Sequence, residues 1–519
     1  VLYVKQRTPK FYVFALLIIA MGTYAVISGK VQKQSSVKSS EEYWAETGLE
    51  PQALEALLQD KSCQSSERYF LACANAVLSV AQKYDFDVAL DGSVVPFSKS
   101  SLNQILTEKE LMAPWKAFIS AHKTLPLFPF LEIWKELSTK HIKTGHLSYA
   151  VGLGMNGFLS VFKDPHTYLL PAEFYNNVVA KTNNKSLSIG LVIGRDDKNY
   201  FVKKVLEDSS SSVAGMKKGD ILVSLQGRAA AAMTTFQLGD VLRGEEGSTL
   251  KIEILRKGQP LSLTIYRTEK TIPTVSSQIL EGIKPVGVIT INKFAVDTCT
   301  LTKATLQNLE LQHVQGLLLD LRDNPGGQME EAACVASLFL GPGKKIFEVK
   351  TLDTTVENEI VYGQENQAYA GSMAVLINSG SASASEIVAG ALQFYKRAVL
   401  VGERSFGKGS FQEGEIWSNN DKIAIFETKG FYYLPSGQTP QLVGLEPDVV
   451  VNFKDRFALR EQDQYLNPLR PAAQPGPKIP PLSAQNTAAK ILGCVSFESD
   501  LLPSEDPEMK EAHRVVSCR

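Results

Sequence analysis

Two corners rich in glycine and serine stand out in the sequence, each directly after an apolar run of the kind that forms a buried strand. The first is Asp320-Leu-Arg-Asp-Asn-Pro-Gly-Gly327. Glycines at a strand end let backbone N–H groups face a ligand with no Cβ in the way. The second is Asn378-Ser-Gly-Ser-Ala-Ser-Ala-Ser-Glu386, where a strand passes into a helix. A serine at such a corner has an exposed hydroxyl beside the open N–H groups of a helix N-terminus. The chemistry on offer is nucleophilic attack on a carbonyl, with N–H groups to hold the oxyanion. The plainer reading is structural: Ser383-Ala-Ser-Glu386 fits the S-x-x-E capping box, which makes Ser383 a helix cap. A third run, Ser405-Phe-Gly-Lys-Gly-Ser-Phe-Gln412, holds a lone lysine between glycines after another apolar strand. Buried, Lys408 would have a lowered pKa and could accept a serine proton; exposed, it is an ordinary turn lysine.

The histidines offer no competing centre. His122, His141, His146, His166, His313 and His513 lie in no nucleophile or zinc-ligand motif, and His141 and His146 are not the i, i+4 pair of a zinc helix. His166, in Asp164-Pro-His-Thr167, reads as a brace for a turn or as a third catalytic group. Neither a metal nor a cofactor is expected.

The elements that must position these residues are legible in outline. A length of 519 residues suggests two to four domains, and 44% hydrophobic with 21% charged residues describes a globular chain. A net charge of −1 with both signs mixed does not favour nucleic acid as partner. Lys5, Arg7 and Lys10 precede an apolar run from Phe11 to Ile27, the pattern of a signal peptide or signal anchor within 1–30. The run is at the short end of what spans a bilayer, roughly 20 residues, and no clean cleavage site follows. An anchor in the inner (cytoplasmic) membrane is the expectation, with the rest of the chain extracytoplasmic. Residues 31–40 read as a linker and 41–175 as a helical region. From 186 to 270 short β-rich runs alternate with turns. From 271 to 455 strands alternate with helices, the mark of a layered α/β core. Residues 456–519 read as a Pro-rich tail. Of the cysteines, Cys63 with Cys73 and Cys494 with Cys518 are candidate disulfides, while Cys299 and Cys334 read as buried small hydrophobes.

These motifs together resemble the carboxyl-terminal processing (tail-specific) peptidases, Ser–Lys endopeptidases with an inserted PDZ domain. The resemblance rests on Asp320–Gly327, Ser381–Leu392, Arg397–Glu403 and Phe406–Gln412. It is extended by Asp164–Thr167, Pro435–Gln438 and Gly444–Asp448, and covers about 164–450. It implies an α/β multidomain fold, with parts of 150–185 joining the peptidase core. By motif position it implies Ser383 as nucleophile, Lys408 as general base and Gln412 as the residue that holds the lysine. Gly326, Gly327 and Ala384 would supply the oxyanion hole.

The same resemblance makes 186–270 a PDZ domain, with Ala214-Gly-Met-Lys-Lys-Gly-Asp220 as its signature and Ser188-Ile-Gly-Leu191 as its carboxylate loop. Ile189, Gly190 and Leu191 would then bind a peptide added as an extra strand. The expected partners are unfolded proteins bound by their C-terminal tails, with an adaptor or a second copy of the chain as further possibilities. The implied activity is cleavage of exported proteins through an acyl-enzyme; the alternative is an inactive PDZ scaffold of the cell envelope.

Overall fold

The computed structural model describes residues 40–96, 107–176, 185–186, 189–195, 199–233, 238–239, 241–242, 247–267, 270–271, 273–281, 284–451, 460–471 and 506–518. The apolar run Phe11–Ile27, Ser188, Cys494 and most of the proline-rich stretch lie outside them. Among the described residues no helix is long and apolar enough to cross a membrane.

The N-terminal region is helical. Helix α1 (Glu67–Lys83) is capped by Ser66, whose hydroxyl accepts from Tyr69 N at 3.2 Å. Helix α2 (Glu108–Ser120) starts with a complete Thr107–Glu110 capping box. Helix α3 (Leu147–Phe162) lies against α1, and a Cβ at Gly157 would run into Ser79 and the Asn75 carbonyl. This close approach is why the apolar face of α3 carries glycine. Cys63 and Cys73 form the expected disulfide here. The chain then turns at Asp164 into strand β1 (Tyr168–Pro171).

The β-rich insert contains β2 (Leu191–Arg195), β3 (Tyr200–Val205), β4 (Ile221–Leu225), β5 (Thr249–Arg256) and β6 (Gln259–Tyr266). They pair antiparallel in the order β6-β5-β4-β3-β2, which leaves β2 on an edge. Ile189, Val202, Leu222, Ile252 and Ile265 form its own apolar core.

The α/β core runs through β7 (Val275–Leu280), β8 (Val286–Ile291), α4 (Thr298–Leu311), β9 (Gly316–Asp320), α5 (Met329–Leu340), β10 (Lys345–Thr351), β11 (Glu359–Tyr362) and β12 (Ser372–Ile377). It continues with α6 (Ala384–Phe394), β13 (Val399–Gly402), β14 (Ser410–Ile416), β15 (Ile423–Tyr433) and β16 (Val449–Val450). The main sheet has the order β7-β8-β9-β12-β13-β16, parallel except for β7. Its central strands are apolar on both faces, as a covered parallel sheet requires. Leu317, Leu319, Val375 and Ile377 pack with α4, α5 and α6, while Leu318, Ala374, Leu376 and Val401 point to the opposite face. A second sheet, β11-β10-β15-β14, also carries β1 on β15.

Two expectations change. The tail is more than a proline-rich strap: helix α7 (Pro507–Ser517) covers the second face of the main sheet with Met509, Ala512, Val515 and Val516. Prolines upstream hid this short amphipathic segment. Cys299 and Cys334 are not thiols in the core but a disulfide joining α4 to α5. Both helices lie on one sheet face, and apolar periodicity cannot tell a buried thiol from a half-cystine. Cys518 is disulfide-bonded as well.

Candidate active site

The parallel strands β9 and β12 deliver the two glycine and serine corners to the same end of the sheet. Ser381 Oγ donates to the Leu321 carbonyl (2.8 Å), Ser385 Oγ to the Asn324 carbonyl (2.9 Å), and Ala382 N to the same Asn324 carbonyl (3.0 Å). Ser381 and Ser385 are fully buried and bind the corners together. Ser383, between them, is partly exposed. Its backbone has φ 56° and ψ −116°, a conformation costing an L-residue on the order of 1–3 kcal/mol and concentrated at functional sites. That sharp turn carries the chain from β12 into α6.

Glu386, one turn into α6, is wholly buried and does more than complete a cap. Its Oε2 accepts from Ser383 N and from Lys408 N, both at 2.9 Å. Its Oε1 accepts from Ser405 Oγ (2.5 Å) and Gly407 N (2.9 Å). Burial pushes this carboxyl up to about 7, against the pull of its four donors. Tyr432 OH bridges the Ser383 carbonyl (3.1 Å) and the Lys408 carbonyl (2.8 Å). The backbones of Ser383 and Lys408 thus share one carboxylate oxygen and one phenol, and the structure brings these two residues into one cluster.

The Lys408 side chain keeps a partial opening to solvent, yet its amine is enclosed by protein. Burial lowers its pKa; the negative charges of Glu461, Asp164 and Glu386 oppose that shift. Nζ donates to Gln412 Oε1 at 2.7 Å. Among the described residues no hydrogen bond joins it to the Ser383 hydroxyl. Gln412 Nε2 donates to Ser410 Oγ (3.1 Å) and Thr428 Oγ1 (3.2 Å). The loop after Lys408 is gripped by Gln441, whose Oε1 accepts from Gly409 N and Ser410 N and whose Nε2 reaches Glu461 Oε1 at 2.6 Å. His166 faces the other oxygen of Glu461 at 3.3 Å.

The expected oxyanion donors separate. Gly326 N donates to Asn324 Oδ1 (2.9 Å). A Cβ at Gly326 would stand 2.9 Å from Ala384 N and 2.8 Å from Ser383 Cβ, so glycine there keeps the approach to Ala384 N open. Among the described residues, Gly327 N and Ala384 N make no hydrogen bond within the chain. Ile189 is buried in the insert, and its carbonyl accepts from Ser211 N; the Gly190 carbonyl accepts from Leu206 N, and Leu191 begins the edge strand β2. Among the described residues no group of His, Cys, Asp and Glu could hold a metal ion. Sequence reasoning missed Glu386 as an acceptor of four donors, and it missed Thr428, Tyr432, Gln441 and Glu461. Only Asp164 and Glu386 fell in motifs it had singled out.

Comparison with protein families matches residues 285–451 to Peptidase family S41. The matched span holds both corners, Lys408 and Gln412. The chain is 29% identical over 340 residues to the carboxy-terminal-processing protease of Bartonella bacilliformis, covering 62% of this chain and 74% of that protein. It is 26% identical over 318 residues to a probable CtpA-like serine protease of Staphylococcus haemolyticus, covering 61% of this chain but 63% of that protein. The carboxy-terminal processing protease CtpA of Bacillus subtilis is 26% identical over 302 residues, 58% of this chain and 64% of that one. Among solved structures, the photosystem II D1 C-terminal processing protease matches with 25% identity and a TM-score of 0.45, over 62% of this chain and 87% of that one.

Proposed function

We propose that this chain is a serine endopeptidase of the carboxyl-terminal processing type, with Ser383 as nucleophile and Lys408 as base. The observation that carries this reading is the shared Glu386 oxygen: one buried carboxylate holds the backbone of a strained, half-exposed serine beside that of an enclosed lysine. Neutral Lys408 would take the proton of Ser383 Oγ as the oxygen attacks a scissile carbonyl. The proton passes to the departing amine as the peptide bond breaks, leaving an ester on Ser383. Water then attacks the ester, again giving its proton to Lys408, and Ser383 leaves with that proton. Gly327 N and Ala384 N are the donors for the oxyanion, worth about 3–4 kcal/mol each in comparable sites.

The β-rich insert, 186–270, serves as a PDZ-type module in this reading, while 271–455 with parts of 150–185 is the peptidase core. A C-terminal tail would pair with the edge of β2, with Ile189, Gly190 and Leu191 at its end. Unfolded or exported proteins are the substrates this predicts. The disulfides Cys63–Cys73 and Cys299–Cys334 support an extracytoplasmic location, because such bonds persist in oxidising compartments. Residues 11–27 would supply the anchor.

The test is cleavage of an unfolded protein with an apolar C-terminus by the wild type and by Ser383→Ala. The substitution is expected to lower kcat by on the order of 10⁴-fold or more. Equal cleavage by both would sink the assignment, and no cleavage by either would point to a peptide-binding scaffold. The pH profile of the wild type adds a check. Activity should rise with pH as Lys408 loses its proton, and it should do so below the usual lysine range because burial lowers that pKa.

A further inference from the structure

We propose that Asp164 is a positioning residue that fixes which end of the Gln412 amide faces Lys408, acting through the hydroxyl of Thr428. The inference rests on the reading of Lys408 as the base. Thr428 in β15 and Gln412 in β14 face each other across paired strands, and Asp164, in the turn after α3, lies 264 positions from Thr428. Asp164 is 4% exposed and Thr428 5% exposed, so water cannot substitute freely for either.

The direction of the chain follows from counting protons. A carboxylate can only accept. Asp164 Oδ1 accepts from His166 N (2.9 Å) and Thr428 Oγ1 (2.8 Å), and Oδ2 accepts from Thr167 Oγ1 (2.6 Å). Thr428 has one hydroxyl proton, and Asp164 takes it. The Thr428 oxygen can therefore only accept from Gln412, and the only donor on that side chain is Nε2. Oε1 is left pointing at Lys408 Nζ, 2.7 Å away. With one N–H of the amine held by this acceptor, its lone pair is turned elsewhere, which is what a base requires. Remove the Thr428 hydroxyl and the amide nitrogen keeps only Ser410 Oγ, a hydroxyl that can donate as well as accept and so does not tell Gln412 which way round to lie. Nε2 can then face the amine, donate to its lone pair and remove an acceptor that favours the ammonium form.

The charged groups facing Lys408 are Glu461 from the segment after the core, Asp164 from the turn and Glu386 from α6, with His166 across from Glu461. Thr428→Val keeps all four and nearly keeps the shape of the threonine. With quenched, denatured casein as substrate, Thr428→Val is expected to lower kcat about 10- to 100-fold with KM unchanged. The ascending limb of the pH profile should move toward acid, and Thr428→Ser should restore both. The pH dependence of Lys408 amine labelling in the Ser383→Ala protein gives the same shift without catalysis. A wild-type kcat and limb in Thr428→Val would overturn the proposal. So would a fall in kcat and thermal stability together with the limb and labelling unmoved, which is the signature of a structural role alone. If Thr428→Val does not fold, Asp164→Asn is expected to lower kcat and shift the limb the same way, and an unchanged kcat and limb there would equally refute it. Wild-type cleavage by Ser383→Ala would instead bring down the functional reading itself. Those two failures are separable.

Discussion

The corner around Ser383 and the β-rich insert are held in opposite ways. At the corner, buried side chains with several partners fix the backbone: Glu386 takes four donors, Gln441 grips two consecutive amides, and Tyr432 spans two carbonyls. The insert has its own small core, and its polar contacts to the α/β core among the described residues include Lys203 to Asp323 at 3.2 Å and Lys204 to Asn292 at 2.9 Å. The first arrangement resists displacement because each lost bond leaves a buried polar group unpaired, at about 1–3 kcal/mol. The second exchanges partners cheaply. A site that must present donors to a developing charge needs the first, and a module that takes up varied tails tolerates the second.

The largest effect should come from breaking the corner at its centre. In Glu386→Gln one oxygen becomes an NH₂ facing two buried donors, and the expected loss is about 2–6 kcal/mol by denaturant unfolding. The pH dependence carries a sign. A carboxyl held up to about 7 in the fold and at its ordinary value when unfolded contributes stability at acid pH. That contribution, about 3 kcal/mol, is lost as pH rises from the usual carboxyl range through about 7. The gap between wild type and Glu386→Gln should therefore be widest near pH 4 and shrink toward pH 8. An unchanged unfolding midpoint would mean that this carboxylate does not hold the corner.

Gly326→Ala attacks the same corner from the facing loop and should cost less. The residue has φ 101°, and its new Cβ would lie 2.8 Å from the Ala382 carbonyl oxygen and 2.9 Å from Ala384 N. Stability should fall by about 1–3 kcal/mol for the backbone strain. Cleavage should fall on the order of 10²-fold, because one oxyanion donor is screened. Loss of stability with full activity would show that Ala384 N is not used.

How much of this was legible depends on whether the relevant bonds are local. The mixed α/β core was readable because buried strands and amphipathic helices leave periods in the chain. The pairing of Ser383 with Lys408 was expected from the motifs that carry the family resemblance, whereas the parallel strand order that sets their loops at one end of the sheet was not read. The Ser383–Glu386 pair was seen, but only as a cap. That Glu386 also takes Ser405, Gly407 and Lys408 depends on a loop some twenty residues on, closing over α6. Thr428 and Asp164 are 264 positions apart and leave no periodic trace. The disulfide between α4 and α5 was misread because its cysteines occupy apolar positions, and α7 was missed because a proline-rich stretch precedes it.

The gentlest break lies at the junction of the two regions. Lys203 and Asp323 are 21% and 14% exposed, so their pair is neither a free surface contact nor a sealed one. Asp323 belongs to the glycine corner and keeps Asn378 without the lysine: Asn378 Nδ2 donates to its Oδ1 at 3.1 Å, and its own N–H donates to Asn378 Oδ1 at 2.9 Å. Lys203→Ala should therefore leave the corner standing and cost less than about 1 kcal/mol in stability, the range of a partly solvated pair. With a short peptide substrate, too small to span both regions, kcat should be unchanged within about twofold. With a long unfolded substrate KM should move more than kcat, because the altered contact bears on how the insert sits, not on the groups that meet the scissile bond. A large fall in kcat on the short peptide would erase the contrast between the two regions, since it would make the insert part of what holds the glycine corner in shape.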